Sequence, residues 1–305
     1  MILLLNRLAA EAGGLIAALV LPKGGMGAVA AAFARAAEAA GETIRCNTPV
    51  ERIIVEAGRA CAVELADGAR LDARRIVSAI HPQTTLLDLV GPRSLDTGFV
   101  RKIRSLRSRG AAAKLHLALR AAPDFCGADL KSRLVIAPSV REVEASFSAV
   151  KYGEVPDRPV MEVILPSAHE PGLAPGGGQV LSAIVQFAPH APKAGPDAAR
   201  AAMLAHSLAM LETFAPGLNR LIEKAELLMP QDIEARFGMI GGNWYHGELS
   251  VEQMPFLRPV IGAAQYQKPL PDLWLCSAGT HPGGGISGAA GWNAAERILA
   301  LEGVR

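Results

Sequence analysis

The sequence predicts a mixed α/β (α+β) protein, with helices and short strands at both ends of the chain and a run of longer strands in the middle. Three observations predict it. Residues 273–276 are a short apolar run, followed by a glycine-rich turn and then by apolar positions at helical spacing, which makes a strand–turn–helix unit. Residues 50–79 read as a β-meander around an Asp67-Gly68 hairpin turn. Between 113 and 188, four apolar runs suit an antiparallel sheet with one covered face.

Taken in order, residues 1–21 read as a helix followed by an apolar strand or helix end, closed by Pro22. Asn6, Arg7 and Glu11 interrupt its apolar runs and no basic region precedes them, so the segment reads as core and not as a targeting signal. Nor is there an uninterrupted apolar span of about 20 residues to cross a bilayer. An alanine-rich helix is expected over 28–40, ended by Gly41. Gly25, Gly27 and Ala30 formally match a G-x-G-x-x-A dinucleotide fingerprint, but Pro22 and Lys23 separate them from any strand and position 45 is Arg45, where an acidic residue is required. Strands are expected at 43–46, 50–55, 60–65 and 75–79, after which His81-Pro82 leaves the sheet.

Short helices over 83–89 and 97–106 precede strands at 113–119, 133–137, 160–166 and 179–188. The Pro and Gly clusters at 171–178 and 189–196 read as connecting loops. A helix over 197–214 places Leu204, Leu208 and Leu211 on one face and stops at Pro216-Gly217. The 241–259 segment, dense in Gly, Asn, His, Trp, Tyr and Pro, reads as a shaped loop lining a pocket. Asn243 and His246 are its candidate substrate residues; Asn243 also suits a turn cap, and His246 a hydrogen-bonded loop histidine.

Charge is balanced, with 31 basic and 29 acidic residues and no basic stripe with interleaved aromatics, so nucleic acid is not an expected partner. Cys46, Cys61, Cys126 and Cys276 form no C-x-x-C pair and read as reduced core residues, with no zinc site or disulfide framework. No metal site is built from His246, His281 and Glu248, because the sequence does not bring them together.

The most informative stretch is Ala278-Gly279-Thr280-His281-Pro282-Gly283-Gly284-Gly285-Ile286-Ser287-Gly288-Ala289. Its five glycines let backbone N–H groups approach a ligand, and the helix that starts there aims its positive end at an anion or electron-rich ring edge. The plainer reading is a tight strand-to-helix connection. The string resembles the C-terminal flavin-contacting motif of the phytoene-desaturase-like FAD-dependent oxidoreductases. Gly241-Gly-Asn243-Trp-Tyr-His246-Gly-Glu248-Leu with Phe256-Leu-Arg258-Pro259, and Pro22-Lys-Gly24-Gly25-Met26-Gly27-Ala, resemble the same branch.

The resemblance implies part of a two-domain FAD-dependent oxidoreductase fold, with FAD-domain segments and an antiparallel-sheet substrate domain. Residues 1–21 would end a first substrate-domain segment, 22–81 form the FAD-domain middle segment, 82–230 the substrate-binding domain and 231–305 the C-terminal FAD-domain segment. The implied cofactor is FAD. Val50 would meet the adenine by its backbone, and Gly279, Thr280, His281, Pro282, Gly283, Gly284, Gly285, Ile286, Ser287, Gly288 and Ala289 would line the flavin. Thr280 stands where related flavoproteins place an acidic residue for the ribityl chain. The implied substrate is an apolar small molecule. No catalytic residue is identified; His281 and His246 are the candidates, and His281 has a second role open to it in positioning Pro282 and the turn.

The family's G-x-G-x-x-G unit is not found in this sequence. The expectation is therefore a C-terminal portion of a flavoenzyme, with weak or no FAD binding alone and a partner chain supplying the missing FAD-binding unit. The alternative is a non-catalytic truncated flavoprotein fragment that acts as a binding or partner module. The expected location is the cytoplasm or the periphery of a membrane, without a transmembrane segment; no amphipathic basic helix argues for membrane association.

Overall fold

The computed structural model describes residues 21–253, 257–267 and 270–303, together with the backbone of 11–12 and 15–16. At 11–16 the backbone forms two short antiparallel strands, β1 (Glu11–Ala12) and β2 (Leu15–Ile16), within the segment read as a helix followed by an apolar strand or helix end. The remainder of 1–20 lies outside the described residues.

Helix α1 (Met26–Ala39) follows Gly25 and has no buried side chain. The meander is β3 (Val50–Glu56), β4 (Arg59–Leu65) and β5 (Arg70–Asp72), paired antiparallel in that order. The strand expected at 43–46 does not form: these residues are exposed and no strand pairs with them among the described residues. Unpaired extended chain gains neither ladder bonds nor cross-strand contacts.

Strand β6 (Ile76–Ser78) leaves the meander and enters the loop that carries His81. Thr84–Leu89 is a π-helix, and α2 (Thr97–Arg104) is capped by Asp96, whose carboxylate accepts the Phe99 N–H at 2.9 Å. This cap satisfies one of the orphan N–H groups of the first turn.

The middle of the chain is one antiparallel sheet. Its strands are β7 (Ala112–Leu119), β8 (Leu134–Ile136), β9 (Val160–Ile164), β10 (Gln179–Gln186) and β11 (Ile222–Leu228), in the order β11-β7-β10-β9-β8. Side chains alternate across a strand. Ala113, Leu115, Leu117 and Leu119 therefore share one covered face, opposite Leu181, Ala183 and Val185 of β10 in the register Leu117↔Leu181. Burying one such Leu contributes about 1.5–3 kcal/mol.

Three helices flank the sheet's connections: α3 (Val140–Lys151), the one-turn α4 (Pro166–His169) and α5 (Pro196–Phe214). The deepest stripe of α5 is Ala199, Met203, Met210 and Leu211; Leu204 and Leu208 pack at its margin, one position from the face read in the sequence. Helix α3 starts on an N-cap: the Ser139 hydroxyl accepts the Glu142 N–H at 3.2 Å and donates to the Glu142 carboxylate at 3.0 Å.

After β11 and α6 (Pro230–Phe237) the chain returns toward the meander. Two backbones meet here with no room for side chains. The Gly110 N–H donates to the Gly241 carbonyl at 2.7 Å, and a Cβ on Gly110 would lie 2.5 Å from the Gly242 carbonyl oxygen. A Cβ on Gly242 would overlap the Pro230 carbonyl. The 241–253 loop is in this way fused to the lead-in of β7. The chain then forms β12 (Leu273–Leu275), which pairs parallel with β6, and ends in α7 (Ala289–Glu302). Among the described residues no helix is long and apolar enough to cross a membrane, and no cluster of three potential metal ligands occurs.

Replacing Leu117, fully covered in β7, by Ala is expected to lower the unfolding free energy by about 2–5 kcal/mol. Leu173→Ala, in an exposed loop, should change it by less than about 0.5 kcal/mol. Guanidinium unfolding followed by circular dichroism measures both; equal effects would contradict the assignment of the sheet face.

Candidate functional site

The glycine-rich turn is organised from within. Ser277 accepts the Gly279 N–H on its hydroxyl at 3.0 Å, and its carbonyl accepts the Thr280 N–H at 2.9 Å and the Thr280 hydroxyl at 2.7 Å. Thr280 is fully buried, its hydroxyl committed to the turn itself. Beyond it the chain emerges: Gly285 to Gly288 are exposed, and Ile286 is 71% exposed. The Ser287 hydroxyl accepts the Ala289 N–H at 3.3 Å, where α7 begins. The positive end of the α7 dipole therefore faces the exposed part of the turn.

The inner side of the turn rests on the 241–253 loop. Gly284 lies against the ring of Tyr245, so that a Cβ there would overlap the ring. A Cβ on Gly279 would lie 2.6 Å from Pro82 and 3.2 Å from the His246 carbonyl. The turn, His81-Pro82 and the Tyr245–His246 step thus form one packed unit.

Arg258 is the centre of this unit. It is 2% exposed, and its guanidinium donates to the carbonyls of Tyr245 (2.6 Å), Ala278 (3.1 Å), Glu248 and Gln253 (3.3 Å each) and Gly247 (3.4 Å). All five acceptors are backbone carbonyls and none is a carboxylate. Burial pushes its pKa down to about 10, which leaves it charged at neutral pH. A buried cation held only by neutral dipoles keeps its field instead of cancelling it. Its Nε has no partner and lies 4.0 Å from the place a Cβ of Gly283 would occupy.

Two imidazoles, the buried His81 and the half-buried His246, lie near the arginine. The His81 and His246 rings lie 5.4 Å apart. The His81 Nδ1 accepts the Gln83 N–H at 3.1 Å, so its Nε2 carries the proton and donates to the Ser108 hydroxyl at 2.9 Å. Burial, then the neighbouring His246 and Arg258, hold the His81 pKa down at about 3. Burial and Arg258 also lower that of His246, whose Nδ1 is buried without a partner.

A cavity of about 660 Å³ adjoins the unit. Tyr245, which backs Gly284, is one of its walls; Asn243, Phe147 of α3 and Phe187 at the end of β10 are others. Phe147 and Phe187 meet edge to face at 5.1 Å. Asn243 lines the cavity while bracing its own loop: its side-chain oxygen accepts the Tyr245 N–H at 2.9 Å and its amide donates to the Arg109 carbonyl at 3.3 Å.

Of the residues read from the sequence, the structure brings together Gly279, Gly283, Gly284 and His246 around Arg258, and Asn243 around the cavity. His281 belongs to the turn, with an unpartnered Nδ1 and a carbonyl that accepts the Tyr266 hydroxyl at 3.0 Å. Val50 opens β3, where its backbone pairs with Leu65. Arg258 and Tyr245 were quoted within the motifs but given no role, since nothing in one sequence shows that an arginine's acceptors will be carbonyls. His81 lies in the 78–82 segment, whose equivalent in the resembled family passes near the flavin; Phe147 and Phe187 lie in other segments and carry no signal in the sequence.

The turn fits the ring edge of a flavin. It is glycyl and apolar, contains no carboxylate, and receives positive potential from α7 and Arg258. The head of α1 is a different matter: the Gly24 N–H there is taken by the Glu170 carboxylate at 3.0–3.1 Å, so it offers no free phosphate anchor.

The chain falls in the class of flavoprotein oxidoreductases. The chain belongs to the flavin-containing amine oxidoreductase family, whose sequence profile matches residues 2–216, and the cofactor of that family is FAD. It is 33% identical over 297 residues to the rat (Rattus norvegicus) protein named pyridine nucleotide-disulfide oxidoreductase domain-containing protein 2, covering 91% of this chain and 50% of the relative. To a hydroxyneurosporene desaturase of Cereibacter sphaeroides it is 29% identical, covering 96% of this chain and 55% of the relative. The chain thus spans about half the length of the curated relatives it matches. Among solved structures, an oxidoreductase from Methanosarcina mazei superposes with a TM-score of 0.59 at 17% identity, covering 92% of this chain and 54% of that one. A putrescine oxidase variant gives 0.57 at 16%, covering 92% and 53%. These two likenesses show the fold.

The low pKa of His81 makes stability depend on acidity. Between about 3 and the ordinary 6.5 the unfolded chain binds a proton that the folded chain refuses, so stability rises with pH across that window. The contribution is complete above 6.5 and is lost as pH falls toward 3. His81→Gln should therefore lose less stability than the parent between pH 7 and about pH 4.5 in denaturant titrations. Equal losses in the two proteins would remove His81 from this role.

Proposed function

We propose that the chain forms the ring-facing and substrate-facing part of an FAD-dependent oxidoreductase that removes hydride equivalents from an apolar small molecule. In this reading 22–81 and 231–305 are FAD-domain segments, 82–230 is the substrate-binding domain, and 1–21 ends a first substrate-domain segment. The observation that carries it is the placement of Arg258: a buried, uncompensated cation whose free Nε lies beside Gly283, with the Tyr245-walled cavity next to it.

The flavin, when bound, supplies the two-electron redox chemistry. The residues of the chain do the rest. The positive end of the α7 dipole at Gly288 and the charge of Arg258 favour negative charge at the turn. Gly279 to Ala289 give the ring a surface without bulky side chains on its inner side, and Val50 meets the adenine through its backbone. Tyr245 and Asn243 shape the substrate side, and the aromatic wall excludes water. His246 and His281, each with an unpartnered Nδ1, are the candidates for holding a proton. A cytoplasmic location, with or without contact to a membrane surface, accompanies this reading.

A further segment, in the same or another chain, is proposed to carry the dinucleotide fingerprint. Three features support it. Helix α1 buries no side chain, Trp292 on α7 is 71% exposed, and β6 and β12 form a parallel sheet of only two strands among the described residues. Parallel strands are normally covered on both faces and flanked by further strands. The second reading, a non-catalytic flavoprotein fragment that serves as a binding module, draws on the same exposed face and on the capture of Gly24 by Glu170.

Quenching of flavin fluorescence as FAD is titrated into the purified chain tests the proposal. The expected result is weak binding, reduced about tenfold further in Arg258→Met, the scale of one hydrogen bond to a charged group. Stoichiometric FAD retained through purification would show that no further segment is needed. A titration unchanged in Arg258→Met would end the role given to the arginine.

A further inference from the structure

We infer that the cavity beside the glycine turn selects an apolar molecule bearing one carboxylate, and that Lys151 is the residue that reads this anionic group. The inference rests on the reading of the cavity as the substrate site and deepens it.

The cavity is too polar at one rim to suit a pure hydrocarbon. Part of its lining is apolar: Phe147, which is 39% exposed, Phe187, Val150 and Leu249. Four side chains of Arg, Lys, His or Glu line it: Arg109, Lys151, His190 and Glu248. Three of them have partners of opposite character. The Glu248 carboxylate is shared by Arg107 at 3.3 Å and Arg109 at 3.6 Å. The His190 Nε2 meets the Glu234 carboxylate at 2.6 Å.

Lys151 differs. Among the described residues no carboxylate stands within ion-pair distance of its ammonium, which instead rests over the Phe147 ring, 4.5 Å from the centroid. An aromatic face attracts a cation without neutralising it. The ammonium is thereby held at the edge of the apolar wall with its charge available. A compact ammonium with three donors suits a carboxylate oxygen. A ligand lying along Phe147 and Phe187 would present its polar end to Lys151. A neutral alcohol can accept one hydrogen bond from this ammonium but carries no charge to pair with it, so the lysine discriminates between an acid and the corresponding alcohol.

Decanoate and decanol are matched probes, and calorimetric titration of the full chain measures both. The expected result is that decanoate binds about fivefold more tightly than decanol, the upper range for one partly exposed ion pair. Lys151→Met should erase the difference by weakening decanoate more than decanol, and Lys151→Arg should keep it. Lys151 is exposed, so neither substitution threatens folding. Equal binding of the two probes by the parent chain, or a preference that survives Lys151→Met, overturns the inference and leaves the cavity reading standing. Phe187→Ala should weaken both probes. If it weakens neither, or if neither probe binds the parent chain, the cavity is not the ligand site and both readings fall.

Discussion

The structure around the site depends on a charge that has no counterion. Arg258 is enclosed by carbonyls from two stretches of chain: Tyr245, Gly247, Glu248 and Gln253 in the loop, and Ala278 at the threshold of the glycine turn. Removing a guanidinium from water is costly, and only several well-placed acceptors offset it. Those acceptors fix where the loop and the turn stand relative to each other. A carboxylate in their place would satisfy the cation equally well, but would cancel the field that now reaches Gly283.

The same loop is tied on its other side to the crossover that leads into β7. The Gln253 side chain acts there as a substitute strand, accepting the Arg107 N–H at 2.8 Å and donating to the carbonyls of Arg107 and Glu248 at 3.0 Å each. The Glu248 N–H donates to the Arg107 carbonyl at 2.8 Å. With the glycine contacts at Gly110 and Gly242, these bonds join the central sheet to the turn through one rigid loop. The cavity is a consequence. It lies where the loop, α3 and the end of β10 converge, and Tyr245 separates it from Gly284.

Electrostatics in this region are set by one group. Arg258 remains charged, while His81 and His246 are kept neutral, first by their burial and further by the arginine. The result is a single fixed positive centre near two neutral imidazoles, which places positive potential at the turn without a cluster of mutually repelling cations. His81, bonded at both ring nitrogens, is a structural member of this arrangement; His246 retains an unpartnered nitrogen.

Local features of this protein were written in the order of its residues. The glycine turn between β12 and α7, the Asp67-Gly68 hairpin and the apolar alternation of β7 and β10 each follow from short-range patterns, because turn chemistry and side-chain period act over a few residues. The segments that defied such reading owe their state to neighbours. Residues 43–46 look like a strand yet stay unpaired among the described residues, whereas the charged, largely exposed stretch Ile222–Leu228 becomes β11 because β7 offers it an edge. The site divides the same way. The sequence by itself determined where backbone could approach a ring closely; only the tertiary structure decided that Arg258 would face carbonyls, that Tyr245 would back Gly284, and that α3 would close a cavity beside them. Long-range contacts between segments more than a hundred residues apart have no local signature, since they depend on how separately formed elements pack.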